Sequence, residues 1–97
     1  MTDNVLTGQT TNSNFINNSA ENYAGAILIE YDGNVTDCNF TANKANGING
    51  DAGAVYFYRT GNLLNCNFKD NEVTGLYSFG GAVFISYDCK VANCNFT

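Results

Sequence analysis

A fixed 28-residue period limits this chain more than any other feature of its sequence. Gly-Ala pairs begin at Gly25, Gly53 and Gly81, and Cys-Asn-Phe triplets end at Phe40, Phe68 and Phe96, so both signals step by 28. Self-similarity at such a period marks a repeat architecture, in which each copy buries its apolar face against the next. The N-terminal stretch reads as a shorter copy. Gly8 stands seven residues before Phe15, as Gly33 and Gly61 stand before Phe40 and Phe68, and Ser13-Asn14-Phe15 takes the place of Cys38-Asn39-Phe40. Phe15 to Gly25 is 10 residues, against 13 from Phe40 to Gly53, so the first copy is expected to lack three residues between Asn18 and Gly25. Residues 1–97 then form one domain, with copies starting near 1, 25, 53 and 81.

Within a copy, Ala54–Tyr58 is rich in β-branched and aromatic residues and predicts a strand. A turn is expected at Asp32-Gly33-Asn34, at Gly61-Asn62 and at Cys89-Lys90. A second strand follows, as in Leu63–Phe68, then Phe-x-x-Asn and a variable arm with Asn46-Gly47, Asn49-Gly50 or Thr74-Gly75 turn signals. A third, weaker strand falls around Lys44–Asn46 and Glu72–Thr74. Gly and Asn recur too often for an ordinary helix, and blade repeats of propellers run to about 40 residues or more. The expectation is an all-β chain: a right-handed parallel β-helix, or solenoid, of about three and a half coils with a 28-residue repeat.

In such a stack identical residues lie above one another. Alternation puts Phe15, Phe40, Phe68 and Phe96 in one inward column beside Ser13, Cys38, Cys66 and Cys94, with Asn14, Asn39, Asn67 and Asn95 outward or at a corner. In the first strand Ile27/Val55/Val83 and Ile29/Phe57/Ile85 are expected inward. Leu28/Tyr56/Phe84 and Glu30/Tyr58/Ser86 then point outward, and the exposed stripe of Leu28, Tyr56, Phe84 and Tyr58 is the expected binding face. The Gly of each Gly-Ala pair is expected to sit at a tight backbone turn.

Composition narrows the function. The net charge is −5 with no His, Trp or Pro, which argues against a nucleic-acid footprint. No apolar run is long enough to insert in a membrane. Met1–Gln9 lacks a basic start and an apolar stretch, so it does not read as a signal peptide; Met1 reads as an artificial start or as the start of a chain exported by another route. Three of the four cysteines fall at one repeat position, which points to packing before redox chemistry. Stacked in one direction they make poor disulfides, so buried free thiols are expected, whereas Cys89 replaces a turn Gly and is expected to be exposed.

Two paired signatures run through the chain: Gly-Gly-Ala-Val at Gly80–Val83, varied at Ala24–Ile27 and Ala52–Val55, and Phe-x-x-Asn at Phe15–Asn18, Phe40–Asn43 and Phe68–Asn71. They resemble the repeats of chlamydial polymorphic membrane proteins and the adhesin-like surface proteins of methanogenic archaea. The resemblance covers nearly the whole chain. It implies a right-handed β-helical piece of a passenger region, an extracellular or cell-surface location and a role in adhesion, with cell-surface glycans or proteins as partners.

Catalysis is weighed against this. Polysaccharide lyases and hydrolases also use parallel β-helices, and glycosidic chemistry needs two carboxylates at a set separation. Asp32, Asp88, Asp37, Asp70 and Glu72 are the candidates, and Arg59 is the only Arg. None clusters in sequence with a basic residue, so no enzyme and no cofactor are expected. A polysaccharide-acting enzyme is the less favoured alternative. The Tyr-Asp pairs at Tyr31 and Tyr87 are interrupted by Arg59-Thr60, which argues against a shared calcium site and for a Tyr31/Arg59/Tyr87 cation–π stack. With no His, zinc is not expected. Asn17, Asn34, Asn39 and Asn95 begin Asn-x-Ser/Thr triplets and are glycan acceptors if the protein is extracellular. Neither end carries a capping motif, so head-to-tail self-stacking into filaments is the further alternative.

Overall fold

The computed structural model describes residues 8–30, 32–48, 50–75 and 80–97. Among them are sixteen short strands in five parallel sheets. The first sheet holds β1 (Gly8–Thr11), β6 (Asp32–Thr36), β11 (Thr60–Leu64) and β15 (Cys89–Ala92). The second holds β5 (Ile27–Ile29), β10 (Val55–Phe57) and β14 (Val83–Ile85). The third holds β2 (Asn14–Ile16), β7 (Asn39–Thr41), β12 (Asn67–Lys69) and β16 (Asn95–Phe96). β3 (Ser19–Ala20), β8 (Lys44–Ala45) and β13 (Glu72–Val73) form the fourth, and β4 (Tyr23–Ala24) with β9 (Gly50–Ala52) the fifth.

Each strand pairs with its equivalent in the next copy, in the register the repeat dictates. Gly8 lies opposite Gly33, Gly33 opposite Gly61, and Gly61 opposite Cys89. Phe15, Phe40, Phe68 and Phe96 face one another in turn. The three residues missing from the first copy are absorbed in its arm. Ala20 still pairs with Ala45, Tyr23 pairs with Gly50 and Ala24 with Ala52, so the offset grows from 25 to 28 across a local irregularity.

Two local expectations are corrected. The stretches at Asp32-Gly33-Asn34, Gly61-Asn62 and Cys89-Lys90 are strand rather than turn; in the third copy the bend lies earlier, at Tyr58-Arg59. The single second strand is in fact two, broken by one left-handed residue: Asn12 (φ 49°), Asp37 (56°), Asn65 (53°) and Asn93 (53°). A second left-handed column, Asn17, Ala42 and Asp70 (φ 57°, 56° and 57°), separates the third sheet from the fourth. Asn and Asp tolerate this conformation because their short polar side chains bond locally, and one such residue turns the chain without a loop. The weak third strand is present as β8 and β13.

The main core gathers Ile27, Ile29, Val55 and Phe57 from the second sheet, Val35 and Leu63 from the first, and Phe40 and Phe68 from the third. Cys38 and Cys66 join it from the corner between the first and third sheets. The Gly-Ala signature has a steric cause beyond a tight turn. A Cβ on Gly25 would collide with the carbonyl oxygen of Gly53, and one on Gly53 with that of Gly81, so successive copies approach backbone to backbone there.

Candidate functional site

The expected outward stripe is the first place to look, and the structure overturns its exposure. Leu28 and Tyr56 are each only 5% exposed and form a second buried cluster with Ala24 and Ala52; Phe84 is half-buried against it. The second sheet is thus covered on both faces. Its strands read as continuous apolar runs for that reason, and alternation does not assign an outer side to such a strand. Tyr58 stays exposed at 42%.

What survives of the stripe is a cleft of about 250 Å³ lined by Tyr23, Leu28, Glu30, Tyr56 and Tyr58. The Tyr23 ring stacks on Tyr56 at 5.9 Å, and Tyr58 stands edge-on to Tyr56 at 6.1 Å and 88°. The Tyr56 hydroxyl is hydrogen-bonded to that of Ser86 at 2.8 Å. Burial raises the Tyr56 pKa, and nearby Asp51, whose own carboxyl is raised by burial, adds to the shift. Sequence reasoning placed Glu30 outward beside Tyr58 without counting it in the binding face, and it missed Tyr23. Tyr23 lies in the shortened arm, opposite Gly50, and so belongs to no column of the repeat.

A wider groove of about 720 Å³ runs along the first sheet, with Asn34, Asn62 and Lys90 in one row and Asp32, Thr60 and Asp88 in another. Asn62 Nδ2 donates to Asn34 Oδ1 at 2.6 Å, and the Thr60 hydroxyl donates to the Asp32 carboxylate. Beside it a depression of about 350 Å³ adds Arg59 and Tyr87. Tyr87 is 64% exposed and meets Tyr58 edge-on at 6.2 Å. The Arg59 guanidinium lies over the Tyr58 ring at 5.4 Å. Of the proposed Tyr31/Arg59/Tyr87 stack, Tyr31 lies outside the described residues.

The recurring residues form continuous columns. The four phenylalanine rings stack nearly parallel, with centroids 4.9, 4.8 and 4.7 Å apart. Asn39 donates to Asn14, Asn67 to Asn39 and Asn95 to Asn67, each at 2.9 Å on the surface. A second amide ladder explains Phe-x-x-Asn. Asn43 Nδ2 donates to the Phe15 carbonyl and to Asn71 Oδ1, while Asn43 Oδ1 accepts from the backbone and side-chain amides of Asn18. Asn43 is fully buried with all four of its hydrogen-bonding positions used.

All four thiols are free, with Cys38 and Cys66 buried. Cys38, Cys66 and Cys94 each point the thiol at the carbonyl two residues earlier, at 3.3, 3.2 and 3.3 Å. Burial pushes Cys66 and Cys89 up to about 11. Cys89 is half-buried and packs against the main core, which corrects its expected exposure: the stretch is strand, and its side chain turns inward.

Of the carboxylates weighed for catalysis, Asp32 and Asp88 line the same groove, with Asp32 bonded to Thr60; Glu72 pairs with Lys44 at 3.1 Å, and Asp37 and Asp70 sit exposed at left-handed corners. Among the described residues no three His, Cys, Asp or Glu side chains converge as a metal site would require. Of the four glycan-acceptor candidates, Asn39 and Asn95 are held in the surface ladder and Asn34 by Asn62, while Asn17 is exposed at a left-handed corner. Comparison with family models, curated proteins and solved structures gives no match for this chain.

Proposed function

We propose that this chain is a right-handed parallel β-helix of about three and a half coils that acts as a non-catalytic, adhesin-type module at the cell surface or outside the cell. One observation carries the reading. The residues that recur in every copy, the Phe stack and the two Asn ladders, are used in contact between copies and not in a shared site. Parallel pairing in all five sheets, in register in all but the fifth, supports the winding, and the rule for parallel crossovers supplies its hand. The surface location and adhesive role follow from the resemblance of the Gly-Gly-Ala-Val and Phe-x-x-Asn signatures.

The binding surface on this reading is the groove along the first sheet. Its amides, hydroxyl and carboxylates, with the exposed Tyr87 ring beside them, suit a hydroxyl-rich glycan. Retention of the protein on immobilised neutral glycans, weakened at least several-fold by Tyr87→Ser, is the expected outcome. The eluates should contain no new reducing ends or unsaturated sugars. Product above blank would favour the alternative, a polysaccharide-acting enzyme, and absence of retention would remove the groove as a site.

A second reading, head-to-tail assembly, is favoured by the last copy. β14, β15 and β16 are outer strands of their sheets, and Phe96 is 50% and Val91 42% exposed where Phe40 and Leu63 are fully buried. Parallel edges over an apolar face accept a further copy of the same repeat, in the same chain or in another molecule. Sedimentation at high concentration distinguishes the two: fibrils with a strand spacing of about 4.8 Å support assembly, and a monomer contradicts it.

A further inference from the structure

We propose that the cleft between Tyr23, Tyr56 and Tyr58 binds a small organic cation carrying a trimethylammonium group, with Glu30 as its counter-charge. The argument begins with what lines the cleft. Three tyrosines, Leu28 and Glu30 line it, and Glu30 is the only charged residue among them. Aromatic faces carry negative potential and attract cations, most strongly where water is excluded. Tyr56, 5% exposed and packed between Tyr23 at 5.9 Å and Phe84 at 5.0 Å, forms the floor of the cleft, and the open ring surface belongs to Tyr23 and to Tyr58, which stands edge-on to Tyr56.

The same lining selects the kind of cation. An ammonium or guanidinium must replace several lost water hydrogen bonds. The cleft offers it one carboxylate and the tyrosine hydroxyls, of which that of Tyr56 is already bonded to Ser86. A quaternary ammonium has no N–H to satisfy and presents methyl groups, which match ring faces and Leu28. Its charge suits Glu30, Asp51 close to Tyr56, and the chain's net charge of −5.

Two further features point the same way. Tyr23 holds a φ of 57°, a strained conformation for a bulky residue, and it does so at the irregular pairing in the shortened arm. The outcome is a ring stacked over Tyr56. Tyr58 already serves as a cation platform: Arg59 sits over it, from the neighbouring depression and not from within the cleft.

The inference rests on the reading of the chain as a binding scaffold, but it concerns a different surface from the glycan groove. The test is calorimetric titration of the full chain with choline, with its neutral isostere 3,3-dimethylbutan-1-ol, and with ethanolamine. Choline is expected to bind at least tenfold tighter than either. Tyr58→Leu keeps an apolar side chain at an exposed position and is expected to weaken choline at least tenfold; Glu30→Gln is expected to weaken it several-fold. Flotation with phosphatidylcholine vesicles separates a lipid headgroup source from a free solute, a floating protein assigning the headgroup. Equal binding of choline and its neutral isostere, no choline heat up to 50 millimolar (roughly the weakest affinity that a site of this kind retains), or unchanged affinity in Tyr58→Leu overturns the proposal. Glycan retention through Tyr87 is read separately, so failure of one does not imply failure of the other.

Discussion

Asn43 and Asn39 belong to the same residue type and to adjacent ladders, yet they differ in what their loss would leave behind. Removing the buried Asn43 side chain takes the partner from the Phe15 carbonyl and from the Asn18 backbone amide, both on half-buried residues. Each buried unsatisfied group costs about 1–3 kcal/mol. Asn43→Leu is therefore expected to lower the unfolding free energy by about 3 kcal/mol in denaturant titration. Asn39→Ala, on the exposed ladder, should cost under about 1 kcal/mol because water replaces the lost partners. The buried thiol gives a pH dependence. Cys66 ionises at about 9 when unfolded and is held protonated to about 11 by burial in the fold. Between those values the unfolded chain binds fewer protons, so stability falls as pH rises, by about 1.4 kcal/mol per pH unit from this group. The stability curve of Cys66→Ala should be flatter between pH 9 and 11, and an unchanged slope would show that the thiol does not titrate in this way.

The strands themselves were written in two different ways. Where one face of an element meets the core and the other meets water, alternation located it: Cys38 and Phe40 are buried and Asn39 between them is exposed. Where both faces are covered, alternation failed, and Leu28 and Tyr56 were assigned to the wrong surroundings. The corners were hidden for another reason. A left-handed Asn or Asp needs neither Gly nor Pro, so Asn65 breaks a strand with no signal in its neighbours. The cleft was legible only in part: Glu30 shares an outward column with Tyr58, but Tyr23 pairs at the irregular step of the shortened arm. Two substitutions with opposite signs test the corner and the close approach. Gly53→Ala should destabilise by about 2–3 kcal/mol, since the added methyl meets the backbone of the next copy. Ala42→Gly should stabilise by about 1 kcal/mol, since Ala42 holds a φ of 56° that glycine adopts without strain. Thermal or chemical unfolding of the two variants reads both signs.

For the molecule as a whole, the account depends on copies stacking in register, so that a residue touches its equivalent and not its neighbour in sequence. That claim carries the Phe stack, both ladders and the position of the groove and the cleft. Through-space NMR contacts in uniformly labelled protein test it most directly. The account predicts ring contacts between Phe40 and Phe68, side-chain amide contacts between Asn39 and Asn67, and backbone contacts linking Val55 to Val83. Contacts that instead join strands adjacent in sequence in antiparallel order, with no Phe40–Phe68 signal, would contradict it.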